Sequence, residues 1–277
     1  MTIRRVTSSD GLAIAVEDMG QPEGQPIVFV HGFAQSRGSW TSLRDGRLAA
    51  THRLVAMDLR GHGDSDKPDD ERAYASERLG DDLHAVLHGL ALERPVVVAW
   101  SYGGVVLGEY LRRHGGGALG GVLLAAAAVQ VGKPAQALFG PVMTSNARAL
   151  LSADAAAYEA GARAFVSGCS AAPLDGAHVE RAVAAMLRVP VHVRRALLFH
   201  SADYSPELAR CEAPTATVHG EADQVVLPRM SALVSALAPS CDPTLVAGVG
   251  HLPWLESSEA FDASVRSIAR RARTRSL

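Results

Sequence analysis

The chain has 277 residues, of which 48% are hydrophobic and 20% are charged, a composition that supplies a core and excludes an intrinsically disordered protein. Its formal net charge is −2, and without a basic excess nucleic-acid binding has no electrostatic basis. No uninterrupted apolar run approaches the ~20 residues needed to cross a bilayer, so no membrane association is expected.

Compartment and metal content follow from the N-terminus and the cysteines. Residues 1–6 are strand-like and contain no apolar signal region. The three cysteines, Cys169, Cys211 and Cys241, form neither an even set nor a metal-binding spacing. We therefore expect a cytoplasmic protein that binds no metal. It is expected to be a monomer or a homodimer.

Strand-like and helical runs alternate along most of the chain. Residues 3–17, with the turn Ser9-Asp10-Gly11, predict an antiparallel hairpin at one edge of a sheet. Further strands are predicted at residues 27–30, 53–57, 96–100, 121–125, 215–219 and 244–247, and helices at 75–90, 102–113, 228–237 and 259–272. This alternation is typical of a parallel sheet covered by helices on both faces.

The alternation stops between residues 129 and 205, where alanine and polar residues dominate. Apolar residues recur there at roughly helical spacing: Leu150, Leu151, Tyr158, Phe165, Met186, Leu187 and Leu198. We interpret residues 129–205 as a helical insert in a core made of residues 1–128 and 206–277. The apolar residues of the insert either shape a pocket or only pack the insert against the core.

Ser101 lies between a predicted buried strand and a predicted helix, in Val96-Val97-Val98-Ala99-Trp100-Ser101-Tyr102-Gly103-Gly104. A serine at a sharp strand-to-helix turn is a nucleophile elbow, which presents its Oγ to a base. Small residues are needed two positions on either side, where strand and helix backbones nearly touch. Gly103 meets this need, and Ala99 replaces the usual first glycine. The alternative is a serine that caps an ordinary helix.

A serine nucleophile needs a base and an acid that orients the base. His251 follows a short strand and lies in the glycine-rich loop Gly248-Val249-Gly250-His251. The acid is Asp223 or Glu221, both just beyond the predicted strand 215–219, with Asp242 a weaker candidate. Since the carboxyl ends of parallel strands meet at one edge of a sheet, these loops are expected to converge.

An oxyanion site needs two backbone N–H groups, one of them on Tyr102, the residue after the nucleophile. The other is expected from Phe33, in the loop that follows strand 27–30. His31 precedes the glycine turn of that loop, and its expected role is to hydrogen-bond the loop backbone.

Apolar residues beside the motifs are candidates for the substrate pocket. These are Trp100, Leu252 and Trp254, which favour an apolar group of modest size. Trp254 could equally pack against the C-terminal helix.

Five segments, spread in order from about residue 25 to residue 265, together resemble one family. They are His31-Gly32-Phe33, Asp58-Leu59-Arg60-Gly61-His62-Gly63-Asp64-Ser65, Trp100-Ser101-Tyr102-Gly103-Gly104, His219-Gly220-Glu221-Ala222-Asp223 and Gly250-His251-Leu252-Pro253. The family is the α/β-hydrolase superfamily, in the branch that holds bacterial serine carboxylesterases, lactonases and cofactor-free haloperoxidases.

The resemblance implies an α/β-hydrolase fold, with a mostly parallel central sheet, helices on both faces and a small helical cap, or lid, at residues 129–205. It implies a triad of Ser101, Asp223 and His251, and favours Asp223 over Glu221. It also implies that the N–H groups of Phe33 and Tyr102 bind the oxyanion, and that no cofactor is needed.

Departures from the family pattern narrow the function. The nucleophile position holds Ser101 and not aspartate, which disfavours the haloalkane dehalogenase and epoxide hydrolase branches. The loop Phe33-Ala34-Gln35 lacks the proline that perhydrolase-type members carry there, so peracid chemistry is expected to be a lesser activity at most. We expect a hydrolase of small to medium, largely apolar esters or lactones. The alternatives are a cofactor-free haloperoxidase or perhydrolase, and a slow-turnover binding protein for a small ligand.

Overall fold

A computed structural model describes residues 2–274. Its strands, in chain order, are β1 Thr2–Thr7, β2 Ala13–Gly20, β3 Pro26–Val30, β4 Arg53–Met57, β5 Val96–Trp100, β6 Gly121–Ala125, β7 Gln130–Val131, β8 Ala202–Asp203, β9 Thr215–Gly220 and β10 Asp242–Val246. Its α-helices are α1 Ser76–Gly89, α2 Gly103–His114, α3 Pro141–Leu150, α4 Ala155–Gly168, α5 Gly176–Leu187, α6 Val191–Leu198, α7 Ser205–Ala209, α8 Arg229–Leu237, α9 Pro253–Glu256 and α10 Ser258–Thr274.

Within the described residues, eight strands form one sheet in the order β1-β2-β4-β3-β5-β6-β9-β10. The β1–β2 and β2–β4 pairs are antiparallel, and the remaining neighbours are parallel. The central strands β3, β5 and β6 are apolar and almost wholly buried, as expected for parallel strands covered on both faces. The mostly parallel sheet and its edge hairpin are therefore those that the sequence predicted.

The helices that flank the sheet extend the predicted alternation. Helices α1 and α2 pack against each other, and α2 packs against β5, while α10 packs against β5, β6 and β9. The predicted helix boundaries agree with the structure to within two residues. None of the helices in residues 2–274 has both the length and the apolar character needed to cross a membrane.

Helices α3 to α6 form the insert between β6 and β9. The two-residue strands β7 and β8 pair antiparallel, Gln130 with Asp203, and so bring the two ends of the insert together. The sequence did not predict this pair, because two residues show no periodicity. The insert is also tied to the core: the Gly140 N–H donates to Val225 O (2.9 Å), and the Arg188 guanidinium donates to Asp64 Oδ1 (2.6 Å).

A buried ion pair connects the loop after β4 to helix α1. The Arg60 guanidinium donates two hydrogen bonds of 2.6 Å to the carboxylate of Asp82, and both side chains are fully buried. Arg60 also contacts Asp10 at 2.9 Å in the edge hairpin. Removing one partner of such a pair leaves a buried charge without compensation, which costs far more than the pair contributes.

We predict that Asp82→Ala lowers the free energy of unfolding by about 3 kcal/mol, because Arg60 then remains buried with one carboxylate partner fewer. Urea denaturation followed by circular dichroism measures the change. Glu180→Gln is the matched control, since Glu180 forms an exposed ion pair with Arg163 and its loss should leave the urea midpoint unchanged. Equal effects of the two substitutions would contradict the prediction.

Candidate active site

Ser101 lies at the carboxyl end of β5, where the chain turns directly into α2. Its φ angle is 54°, in the left-handed region that non-glycine residues rarely adopt. A Cβ atom at Gly103 would lie 2.6 Å from Val30 O, and one at Gly32 would lie 2.8 Å from the Ser101 Cβ. Both positions therefore require glycine. This close approach brings the loop after β3 against the serine.

The loop after β3 is held by His31, which is fully buried. Its Nδ1 donates to Gly32 O (2.8 Å), and its Nε2 accepts from the Leu59 N–H (3.0 Å). Because a carbonyl can only accept and an amide can only donate, this pairing assigns the neutral Nδ1–H tautomer. Burial lowers the pKa of His31 further. His31 thus organises the loop backbone, as the sequence predicted.

Phe33 and Tyr102 present two unpaired backbone N–H groups beside Ser101. Both residues are buried, and all three line one cavity. Among residues 2–274, neither the Phe33 N–H nor the Tyr102 N–H donates a hydrogen bond. Buried amides without an acceptor are rare in folded proteins because they cost free energy. The two N–H groups can therefore donate hydrogen bonds to an oxygen atom that develops negative charge.

Asp223 and His251 are in direct contact. The Nδ1 atom of His251 lies 2.7 Å from Asp223 Oδ2, and both side chains are buried. Since an ionised carboxylate can only accept, Nδ1 carries the proton and Nε2 holds a lone pair. Nε2 is itself buried and has no hydrogen-bond partner in the described part of the chain. Glu221, the alternative acid, is exposed and forms no such contact.

A second imidazole contacts the same carboxylate. His219 Nε2 lies 2.9 Å from Asp223 Oδ2 and 2.8 Å from Val226 O, while its Nδ1 lies 2.6 Å from Ser231 Oγ. The other oxygen of Asp223 accepts from the N–H groups of Val225 (2.8 Å) and Val226 (3.2 Å).

These contacts keep Asp223 ionised. Burial alone raises the pKa of a carboxyl group, but the field of His251 and the hydrogen bonds from His219 and His251 lower the pKa of Asp223 to about 2. Asp223 is therefore an anion throughout the neutral pH range.

Further hydrogen bonds fix the loop that carries His251, one of them from the His251 N–H to Cys169 O of the insert (2.6 Å). The Glu256 carboxylate accepts from the N–H groups of Gly250 (3.0 Å) and Leu252 (3.1 Å), on either side of the histidine. The Trp100 indole N–H donates to His251 O at 3.0 Å. His251 is thus placed next to the elbow, although no hydrogen bond joins it to Ser101 within residues 2–274. Such catalytic contacts are often long without substrate and tighten when it binds.

Ser101 opens onto a cavity of about 620 Å³, the serine cavity. Its lining is mainly apolar and comes from both the core and the insert: Phe33, Ser101, Tyr102, Ala128, Val131, Gly132, Lys133, Gln136, Phe139, Met143, Thr144, Ala147, Phe165, Leu197, Leu198, Phe199, Ser201, Val225 and Val226.

An adjoining cavity of about 310 Å³, the arginine cavity, lies between α4, α5, α9 and the loop after β3. It is named after Arg181, and its lining consists of Gln35, Ser36, Gly38, Ser39, Thr41, Ser42, Trp100, Phe165, Val166, Cys169, His178, Arg181, Ala182, Ala185, Leu252, Trp254 and Leu255. The three pocket residues predicted from the sequence, Trp100, Leu252 and Trp254, line this cavity and not the serine cavity. Trp254 also packs against Phe261 of α10, which is the alternative environment predicted for it. Its contact with a substrate stays a prediction.

Sequence reasoning missed His219, Ser231, Glu256 and the role of Phe165. The signals for His219 were its place in the family segment His219-Gly220-Glu221-Ala222-Asp223 and its position at the end of a strand, four residues before Asp223. Nothing in the sequence linked Glu256 to the three backbone amides that it binds, those of Ala171, Gly250 and Leu252. In the described residues, no group of three or more His, Cys, Asp or Glu side chains is placed to hold a metal ion.

Comparisons with known proteins give one family. A family model described as "Alpha/beta hydrolase family" matches residues 27–263. A curated relative, the non-heme chloroperoxidase CPO-A1 of Kitasatospora aureofaciens, is 30% identical over 231 residues, which are 79% of this chain and 81% of that protein.

Two solved structures extend the comparison. The esterase RhEst1 from Rhodococcus sp. ECU1013 has a TM-score of 0.91 and 32% sequence identity, over 98% of this chain and 99% of that chain. A bromoperoxidase from Bacillus anthracis has a TM-score of 0.83 and 21% identity, over 97% and 100% of the two chains, a likeness of fold alone.

The low pKa of Asp223 predicts an acid-sensitive contribution to stability. A carboxyl group whose pKa is lowered to about 2 in the folded state stabilises the fold above its unfolded pKa, and that contribution is lost as the pH falls toward 2. For Asp223 the contribution is about 2 kcal/mol. In Asp223→Asn the free energy of unfolding should therefore fall less between pH 5 and pH 2 than in the wild type.

Urea denaturation at pH values from 7 to 2 measures this difference. Glu221→Gln is the control, because Glu221 is exposed and contacts neither histidine, and it should keep the wild-type acid response. Parallel pH curves for the wild type and Asp223→Asn would contradict the prediction.

Proposed function

The chain belongs to the α/β-hydrolase family, and we propose from that premise that it is a serine hydrolase that cleaves carboxylic esters or lactones through an acyl-enzyme. The observation that carries the proposal is the environment of the His251 imidazole. Its Nδ1 is bonded to the buried, ionised Asp223, and its Nε2 has no partner among residues 2–274. A histidine held in this tautomer is a general base.

In the proposed first step, His251 Nε2 removes the proton from Ser101 Oγ as that oxygen attacks the substrate carbonyl carbon. The carbonyl oxygen becomes an oxyanion, which the unpaired N–H groups of Phe33 and Tyr102 bind. His251 then returns the proton to the leaving alcohol oxygen as the carbon–oxygen bond breaks. The acyl group remains on Ser101.

In the proposed second step, water replaces the alcohol. His251 accepts a proton from water, the resulting hydroxide attacks the acyl carbon, and Ser101 leaves with the proton that His251 returns. Asp223 keeps the imidazole in the required tautomer and stabilises its charged form in both steps. His219, which shares Asp223 Oδ2 with His251, is a positioning residue for that carboxylate.

The insert is proposed to act as a cap, residues 129–205, on a core of residues 1–128 and 206–277. Supporting this role, insert residues such as Met143, Phe165 and Leu197 line the cavity into which Ser101 opens. The apolar lining favours an acyl group of small to medium size.

We also propose that the enzyme is cytoplasmic. Supporting this, the three cysteines are free thiols in the described residues.

A cofactor-free haloperoxidase is the second candidate, favoured by the relationship to the chloroperoxidase of Kitasatospora aureofaciens. The loop after Phe33 argues against it as the main activity. Ala34 has a φ angle of 53°, which proline, fixed near −65°, cannot adopt. A proline at residue 34 would therefore require a different backbone conformation of this loop.

We predict that Ser101→Ala keeps the fold and abolishes hydrolysis of p-nitrophenyl acetate, butyrate and octanoate, because the acyl acceptor is removed. In the wild type, kcat/KM should rise from acetate to octanoate, since each buried CH₂ group contributes up to ~0.8 kcal/mol in the serine cavity. Release of p-nitrophenol measures the rates, and a homoserine lactone is tested in parallel.

Equal rates for wild type and Ser101→Ala would refute the serine mechanism. Halide- and peroxide-dependent halogenation in carboxylate buffer, without serine-dependent hydrolysis, would favour the second candidate. Tight binding of an ester without turnover by the wild type would indicate a binding protein.

We predict that Asp223→Asn lowers kcat by about 10⁴-fold, because an amide no longer fixes the imidazole tautomer. Glu221→Gln, two residues away on the same loop, should change kcat by less than about twofold, since its side chain is exposed and lies off His251. Steady-state kinetics with p-nitrophenyl butyrate compares the two. The reverse order would make Glu221 the acid.

A further inference from the structure

Phe165 of helix α4 stands between two cavities. Its side chain lines both the serine cavity and the arginine cavity, and it is 6% exposed. Among the described residues it is the only one that lines both cavities, so its ring forms part of the boundary between them.

The elbow and the loop after β3 each contribute residues to both cavities. In the elbow, Trp100 lines the arginine cavity, while Ser101 and Tyr102 line the serine cavity. In the loop after β3, Phe33 lines the serine cavity and Gln35 lines the arginine cavity. An ester carbonyl attacked by Ser101 thus has room for one substituent on each side.

The proton path decides which substituent enters which cavity. In ester hydrolysis the leaving oxygen must receive its proton from His251, so the leaving group lies on the side of the His251 loop. Leu252, Trp254 and Leu255, which follow His251, line only the arginine cavity. The alcohol or phenol therefore faces the arginine cavity, and the acyl group faces the serine cavity.

The arginine cavity combines an apolar lining with one positive charge. The indoles of Trp100 and Trp254 both line it and pack edge to face, with ring centroids 4.6 Å apart and an interplanar angle of 73°, so together they form one aromatic wall. Arg181 of α5 lines the same cavity and has neither an ion-pair nor a hydrogen-bond partner within residues 2–274. Burial and the neighbouring Arg181 cation lower the pKa of His178, so the adjacent imidazole is neutral at pH 7 and adds no second charge.

We propose that the arginine cavity binds the leaving group and that Arg181 selects a ring-shaped alcohol or phenol carrying a carboxylate or similar anion. The inference rests on the proposed ester hydrolysis and adds the substrate class. A guanidinium fits a carboxylate through two parallel N–H donors, and no other cation of the described residues lines this cavity.

The test compares two esters of nearly the same size and shape that differ in charge. One is the butyrate ester of para-hydroxybenzoate, and the other is the butyrate ester of para-hydroxybenzamide, which is neutral and contains no second ester. Arg181→Gln should lower kcat/KM for the anionic ester about tenfold, as expected for one partly exposed charged contact, mainly through KM. The neutral ester should change by less than about twofold. Arg181 is exposed, so the substitution should leave the fold intact.

Lys133→Gln is the matched control, because Lys133 is an exposed cation that lines the serine cavity. It should not discriminate between the two esters. A selective loss in Lys133→Gln and none in Arg181→Gln would reverse the orientation and overturn the proposal. Equal losses for both esters in Arg181→Gln, or no loss, would overturn it as well.

Binding separates this proposal from the proposed function. Calorimetry with para-hydroxybenzoate on Ser101→Ala should show binding that the added Arg181→Gln substitution weakens about tenfold. If the wild type hydrolyses neither ester, the hydrolase assignment fails. If hydrolysis proceeds but Arg181 does not affect binding of para-hydroxybenzoate, only the leaving-group assignment fails.

Discussion

The reversal of the chain at Ser101 is the constraint on which the rest of the site depends. A single residue with a φ angle of 54° joins a buried strand to a helix. The turn is tolerated because Gly32 and Gly103 let three backbone segments approach within van der Waals contact. That approach places the N–H groups of Phe33 and Tyr102 beside the serine, so the strained turn and the two unpaired amides form one arrangement.

The second constraint on the site is the buried negative charge of Asp223, and both oxygens of its carboxylate are hydrogen-bonded. Two imidazoles share one carboxylate oxygen, and two backbone amides bind the other. A buried anion held so completely keeps a fixed position, which in turn fixes the orientation of His251. Because His219 and His251 both contact Asp223 Oδ2, the negative charge of Asp223 interacts with two imidazoles. Only His251 has a proposed role in the proton transfers.

The core and the insert contribute different residues to the candidate site. The core places Ser101, Asp223 and His251 in the loops after β5, β9 and β10, at the carboxyl edge of the sheet. The insert supplies Phe165, which lines both cavities, and Arg181, which lines the arginine cavity. The insert also contacts the His251 loop directly, since the His251 N–H donates to Cys169 O at 2.6 Å. Because insert residues line both cavities, specificity is expected to depend on them.

The strands, and the loops that carry the candidate residues, could be predicted from local sequence. Buried parallel strands such as β5 are continuous apolar runs, and the turn residues after them, such as Ser101 and Asp223, are visible as local breaks. Which of those residues meet depends on how the whole chain folds. The second imidazole on Asp223, the position of Phe165 on both cavities and the placement of Trp254 on the arginine cavity depend on side chains from elements far apart in the chain. Local periodicity reports which face of an element is buried, but not which distant side chain it faces.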